Sequence, residues 1–324
     1  MIDFTGCIEY ANKYEGSEKK KTIKYNGKRH LLKFPDPIRE RNKTFSYVNN
    51  TISEYIGCKI YDSVGIETQK VILGAYQTDK GETKIVCACE DFTGEGMHLY
   101  EYKRLQLANV EEAGANNLEL DKVVSDISAN PRLRQVSDAS ERFWDMFVVD
   151  TFIGNPDRHT GNWGFLGTDE QIKQLAPVFD CGSCLFPLMG DEEIKSLPKS
   201  EYKNHAINVY SCYRENGRRI HAANYIISGK NPECNEAVKR ILRNLDLQKV
   251  LTIIDDMDQG FISKERKDFY REVLNIRYQY VLEPALRKIQ QLEMAVQKDN
   301  AKSDAVYHKH KKRGENHGIY FIPK

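Results

Sequence analysis

No run of about 18 consecutive apolar residues occurs in the 324-residue chain, so the sequence holds no transmembrane helix. The amino terminus, Met1-Ile2-Asp3-Phe4-Thr5-Gly6-Cys7, has no basic segment followed by an apolar one. It is not a classical secretory signal, and cytoplasmic residence is the expectation. An excess of one charge is also lacking: 48 basic residues face 47 acidic ones, for a net charge of +1. That balance creates no field able to concentrate nucleic acid or anionic lipid, so no nucleic-acid partner is expected. Internal repeats and low-complexity linkers are absent as well. What remains is 40% hydrophobic and 29% charged, the composition of a globular chain with room for two compact units.

Eight cysteines stand at positions 7, 58, 87, 89, 181, 184, 212 and 234. A chain of this size needs no covalent staples, and without a secretory signal the reading is free, reduced thiols. Cys181-Gly182-Ser183-Cys184 leaves a zinc or redox module open. A structural zinc site needs a second ligand pair, and Cys87-x-Cys89 has the wrong spacing to supply one.

Along the chain, residues 1–92 read as mostly β with one helix. Lys21–Tyr25 and His30–Phe34 flank Asn26-Gly27, which predicts a hairpin. Val48, Ile52, Tyr55, Ile56 and Ile60 recur at helical spacing across 46–61. Strands are expected at 70–76 and 84–88, around Asp79-Lys80-Gly81. Beyond the connector near 88–93 the character turns helical. Asp138-x-x-Glu141 predicts a capping box opening a helix to Ile153, apolar nearly all round in its second half and therefore buried. Helices also fit 234–244, 247–257 and 264–297, the last bent at Pro284. The division is a small β-rich unit over 1–92, a larger helical unit over 93–300, and a polar, basic tail over 301–324. From Lys298 onward the chain is polar and ends in a basic run, His308 to Arg313.

The strongest chemical signal is Asn155-Pro156-Asp157-Arg158-His159-Thr160-Gly161-Asn162, followed eighteen residues later by Asp180-Cys181-Gly182. Phosphoryl transfer asks little covalent help of a protein. It needs a carboxylate to orient and deprotonate the attacking hydroxyl, and ligands to hold Mg²⁺ on the phosphates. An Asp and an Asn five apart on one loop can divide those tasks, with Asp157 on the hydroxyl and Asn162 on the metal. Asp180 would add the metal carboxylate, and Gly182 lets the chain turn away without a side chain. His159 either assists proton transfer or shapes the loop through a hydrogen bond. The plain alternative for the whole stretch is an Asx-rich turn carrying a solvated charge pair.

D-x-x-x-x-N followed by D-x-G resembles the protein-kinase superfamily. N-x-D-R-H-x-x-N without H-R-D, together with Ser53-Glu54-Tyr55 and Cys89-Glu90-Asp91-Phe92, resembles the HipA-like kinases across roughly 14–300. The fold so implied is α+β: a protein-kinase-like bilobal fold with a small β-rich N-lobe and a larger helical C-lobe. The resemblance assigns Lys33 to the α- and β-phosphates of ATP and Glu54 as its partner. It places the phosphate-covering loop at Tyr14–Lys21, where Gly16, Ser17, Lys19 and Lys20 would cradle phosphate, although G-x-G-x-x-G is missing. It sets the adenine-facing connector at Glu90, Asp91 and Phe92, after the buried strand Val86–Cys89. The activity implied is serine/threonine phosphorylation of a protein substrate with ATP and Mg²⁺. The D-R-H-x-x-N wording also resembles phosphoinositide kinases, and a nucleotide-binding pseudokinase is the rival without catalysis. Family members that act as toxins carry more sequence ahead of the phosphate loop, so an antitoxin partner is not expected here. The resemblance also raises delivery into another cell without a classical signal.

Overall fold

The computed structural model describes residues 1–10, 20–35, 49–94, 96–106 and 118–315, with side chains through Asn300. Six strands build the amino-terminal sheet: β1 (Ile2–Asp3), β2 (Ile8–Tyr10), β3 (Lys20–Tyr25), β4 (Lys28–Lys33), β5 (Val71–Gln77) and β6 (Thr83–Glu90). Their order is β1-β5-β6-β4-β3-β2. Only β1 and β5 run parallel; the other pairings are antiparallel. The β3–β4 turn forms at Asn26 and Gly27, both at positive φ, the backbone a two-residue hairpin requires. In register, Lys20 stands opposite Lys33.

Helix α1 (Asn50–Ser63) crosses this sheet, burying Ile52, Ile56 and Ile60 at four-residue spacing. On the opposite face Phe4, Ile23, Leu32, Phe34, Tyr76 and Val86 form a small separate core. The α1 side instead merges with the core of the helical part. Helix α1 is thereby fastened to both halves of the molecule.

The rest of the chain is mainly helical. After β7 (His98–Glu101) come α2 (Tyr102–Leu105), α3 (Leu120–Ala129) and α4 (Ala139–Ile153). Strands β8 (Gly164–Gly167) and β9 (Ile172–Leu175) complete a three-stranded sheet with β7. Then follow α5 (Asp191–Ser196), α6 (Tyr202–Ile207), the hairpin β10 (Tyr210–Glu215) and β11 (Arg218–His221), and α7 (Ala222–Ser228). Helices α8 (Pro232–Asn244), α9 (Leu247–Asp255), α10 (Lys264–Arg277) and α11 (Glu283–Glu315) close the fold. Helix α4 is buried from Phe143 to Ile153 except at Asp145, as its apolar character predicts. The helices α8, α9 and α10 start on side-chain caps from Asn231, Asp246 and Ser263.

Two local expectations are corrected. Asp138 precedes α4 but makes no side-chain cap bond, because its φ of −94° and ψ of 10° are not the extended geometry a cap needs. The long carboxy-terminal helix is broken by a π-turn at Tyr278–Leu282, where the Glu283 N–H reaches back five residues to the Tyr278 carbonyl. Pro284 explains the break: it has no N–H for Tyr280, and its ring presses on that carbonyl. Helix α11 then runs to Glu315, beyond the point at which the sequence turns polar. Among the described residues, no helix is long and apolar enough to cross a membrane.

The end of α4 aims the loop that follows. Gly154 caps it at φ 68°, and a Cβ there would strike the buried guanidinium of Arg277. Arg277 is held by the carbonyls of Ala206 and Phe152, so it has no room to retreat. The left-handed backbone alone costs a non-glycine residue ~1–2 kcal/mol. Gly154→Ala should therefore lower stability by about 2 kcal/mol or more, read as a shifted urea midpoint at unchanged slope.

Candidate active site

Strand β4 ends on Lys33, whose side chain is 7% exposed. Lys33 Nζ lies 2.9 Å from Glu54 Oε2 on α1 and donates a 2.8 Å bond to Asp180 Oδ1. Burial works against the lysine charge, but Asp180 and Glu54 overcome it and raise the pKa well above the ordinary value. Glu54 is fully buried, and desolvation raises its carboxyl while Lys33 opposes the rise. Asp180 is the most open of the three, at 37% exposure. Burial would raise its carboxyl too, but Lys33, helped by Lys20 and Arg158, draws it down to about 2. These charges hold one another in place.

Asp180 is delivered by a clamped segment. The Gln69 N–H donates to the Val178 carbonyl and the Val178 N–H to the Glu67 carbonyl, each at 2.8 Å. At Asp180 the backbone turns to φ 58°, a left-handed conformation that Asp adopts more readily than most residues. A side chain at Gly182 would come within 3.2 Å of Glu54 Oε2, so the absence of a Cβ leaves Glu54 its place.

The second loop, 155–162, brings Asp157 and Asn162 beside this group. The Asp157 carbonyl accepts from the His159 N–H at 2.8 Å and from Asn162 Nδ2 at 2.8 Å. The second of these leaves Asn162 Oδ1 without a partner among the described residues. The Asp157 carboxylate is half-buried, and Ser183 Oγ approaches its Oδ2 at 3.5 Å. Burial raises the Asp157 carboxyl above the ordinary range, with His159 opposing. His159 Nδ1 accepts the Gly161 N–H at 3.0 Å, the geometry of a loop brace.

Sequence reasoning passed over the residue that ties the two loops together. Arg158 is 3% exposed and donates to Asp150 of α4 at 2.9 Å and to the Asn162 carbonyl at 2.8 Å. It also donates to the Phe179 carbonyl, one residue before Asp180, and to Cys181 Sγ at 3.3 Å. Burial works against its charge, but Asp150 overrides that and keeps the guanidinium protonated. The available signal was Asp150 itself, an acid in the buried second half of α4, where a carboxylate requires a partner. Ser183 was legible as part of the C-x-x-C and as the start of the loop to about Lys203 in the activation-segment position, but not as a neighbour of the Asp157 carboxylate.

At the connector, Glu90 is committed elsewhere. Its N–H donates to the Lys70 carbonyl, its carbonyl accepts from Gln69 Nε2, and its carboxylate pairs with Lys28. The Asp91 N–H donates to the Arg29 carbonyl. The Asp91 carbonyl and Phe92 N–H carry no backbone bond among the described residues. The Phe92 ring lies 5.8 Å from that of Phe179, beside the Asp180 segment. Lys20 opens β3 opposite Lys33, whereas Gly16, Ser17 and Lys19 lie outside the described residues. All eight cysteines are free thiols, and Cys184 donates to the Ser53 carbonyl at 3.2 Å. Burial pushes the Cys184 thiol well above its usual range, which suits packing rather than redox chemistry.

Removing one partner of a buried ion pair strands the other, at a cost of about 3–5 kcal/mol. Arg158→Met should destabilise the chain by that order, and Arg158→Met with Asp150→Leu by less than Arg158→Met alone. Urea unfolding of the wild type and these two variants checks both statements.

The HipA-like C-terminal domain model matches residues 12–249. The serine/threonine-protein kinase CtkA of Helicobacter pylori (strain J99) is 32% identical over 312 residues, spanning 94% of this chain and 92% of that protein. The crystal structure of a Helicobacter pylori proinflammatory kinase CtkA superposes with a TM-score of 0.81 at 32% identity, covering 90% of this chain and 98% of that one. Fold, motif and near-complete coverage agree: this chain belongs to the HipA-like C-terminal domain family.

Proposed function

We propose that this chain is a serine/threonine protein kinase using ATP and Mg²⁺, with its nucleotide cleft between the unit over 1–92 and the unit over 93–300. One observation carries the proposal: Lys33 contacts both Glu54 and Asp180, while Asp157 and Asn162 stand on the adjoining loop. The homologous CtkA, named a serine/threonine-protein kinase, supports the reaction class and a protein substrate.

In this reading Lys33, with Lys20 opposite it, receives the triphosphate. The residues present fit a divalent ion: Asn162 Oδ1 is uncommitted, and the Asp180 carboxylate is 37% exposed and drawn down to about 2 by Lys33. They would hold Mg²⁺, whose charge offsets that of the phosphates. The acceptor hydroxyl approaches Asp157, which orients it and takes its proton. His159 keeps the loop in shape through Gly161. The Asp91 carbonyl and Phe92 N–H are the connector groups left for adenine; of the strand Val86–Cys89, Cys87 and Cys89 face the α1 side that carries Lys33, while Val86 turns into the small core of the opposite face.

Asp157 and the metal ligands should fail in different ways. Asp157→Asn should bind ATP with near-normal affinity and magnesium dependence while transfer falls by at least ~10²–10⁴-fold. Asp180→Asn should lose both turnover and the magnesium dependence of binding. Titration calorimetry with and without Mg²⁺, beside a labelled-ATP assay with mass spectrometry of the modified residue, separates them. Substantial transfer by Asp157→Asn, or unchanged metal dependence in Asp180→Asn, would contradict the assignment.

A further inference from the structure

The hairpin β10–β11 carries Arg214, Arg218 and Arg219 around the turn Asn216-Gly217. Arg214 and Arg219 are directly opposed across the two strands. Like charges in that relation repel and cost stability, so the pairing needs another reason. Neither arginine is relieved by a carboxylate among the described residues. Glu215 stands opposite Arg218, and the Glu119 carboxylate accepts the Gly217 N–H at 2.9 Å. Each guanidinium is held by backbone oxygens instead. Arg214 Nη1 donates to the Gly217 carbonyl at 2.8 Å, while Arg219 Nε donates to the Ser211 carbonyl at 3.0 Å.

The third such bond fixes the location. Arg219 Nη2 donates to the Pro156 carbonyl at 3.3 Å, and Pro156 immediately precedes Asp157. Arg219 is exposed. A guanidinium offers five donors in a rigid fork, and these two contacts leave several of them pointing to solvent. A polypeptide whose hydroxyl reaches Asp157 must lay its neighbouring residues across this part of the surface. An extended chain advances ~3.3 Å per residue, so Arg219 reaches side chains within about three positions of the acceptor.

Resting on the kinase reading, we propose that Arg219, reinforced by Arg214, recognises an anionic side chain near the acceptor hydroxyl, and that the substrates of this chain are acidic or already phosphorylated segments. Both anions offer the planar or multidentate oxygens that a guanidinium pairs with, and repulsion at the same spot rejects Lys and Arg.

The test uses the full chain and peptides holding one serine, with Ala, Glu, phosphothreonine or Lys placed singly within three positions of it. For the wild type, kcat/KM should rise about tenfold at one position when Ala becomes Glu or phosphothreonine, and fall below the Ala value for Lys. A gain with Glu marks acidic segments; a gain confined to phosphothreonine marks primed ones. Arg219→Ala should bring the ratio close to one, Arg219→Lys should keep part of it, and Arg219→Glu should reverse it in favour of Lys. Because each ratio is taken within one enzyme, a general loss of activity cannot imitate the result. A wild-type ratio near one, or a ratio unchanged in Arg219→Glu, overturns the proposal while leaving the kinase reading intact. No transfer to any peptide or to the chain itself, with the protein folded, overturns the kinase reading and this proposal with it.

Discussion

A buried ammonium between two carboxylates is the constraint around which this molecule is organised. Lys33 comes from the sheet, Glu54 from the helix across it, and Asp180 from a loop of the helical part. The charges of Lys33 and Glu54 are costly away from water and tolerable only while each has its partner, and the more open Asp180 adds a second counter-charge to Lys33. The register of β4, the position of α1 and the course of the Asp180 segment are therefore not independent. Helix α1 packs on the sheet with one side and on the helical core with the other, so apolar burial and ion pairing fix the same geometry.

Arg158 extends this logic across the two loops. It joins α4 through Asp150, the Asn162 backbone, and the Phe179 carbonyl, making one unit of the loop with Asp157 and the loop with Asp180. A displacement of either loop would break several charge-assisted bonds inside the protein, where no water replaces them. The proposed chemistry needs Asp157 and Asp180 at a fixed separation, and a single buried side chain enforces it.

Much of this was legible beforehand, for identifiable reasons. Asn26-Gly27 specifies a hairpin because few other residue pairs accept two positive φ values, and the hairpin carries Lys33 to Glu54 and Asp180. The helix of Glu54 announced itself by its spacing of isoleucines. Asp157, Asn162 and Asp180 stood out because their types and intervals match a division of labour in phosphoryl transfer. Arg158 was visible in the motif but given no role, since its partners are mostly carbonyls that have no sequence signature. The engagement of Glu90 in strand pairing was hidden for the same reason. Asp138 satisfied the capping pattern but not its geometry, as pattern does not dictate φ and ψ. The proline break came earlier than expected because its effect falls on the carbonyl four residues back. The proposed phosphate cradle at Gly16, Ser17 and Lys19 lies outside the described residues, and only Lys20 can be placed.

The dependence of the cleft on its central ion group is open to direct measurement. MgATP affinity of the wild type, Lys33→Ala, Glu54→Gln and the double variant forms a complete cycle. If Glu54 acts by holding Lys33, the double variant binds no worse than Lys33→Ala alone. Fully additive losses would contradict the account, because they would mean that Glu54 serves the nucleotide by a route that does not pass through Lys33.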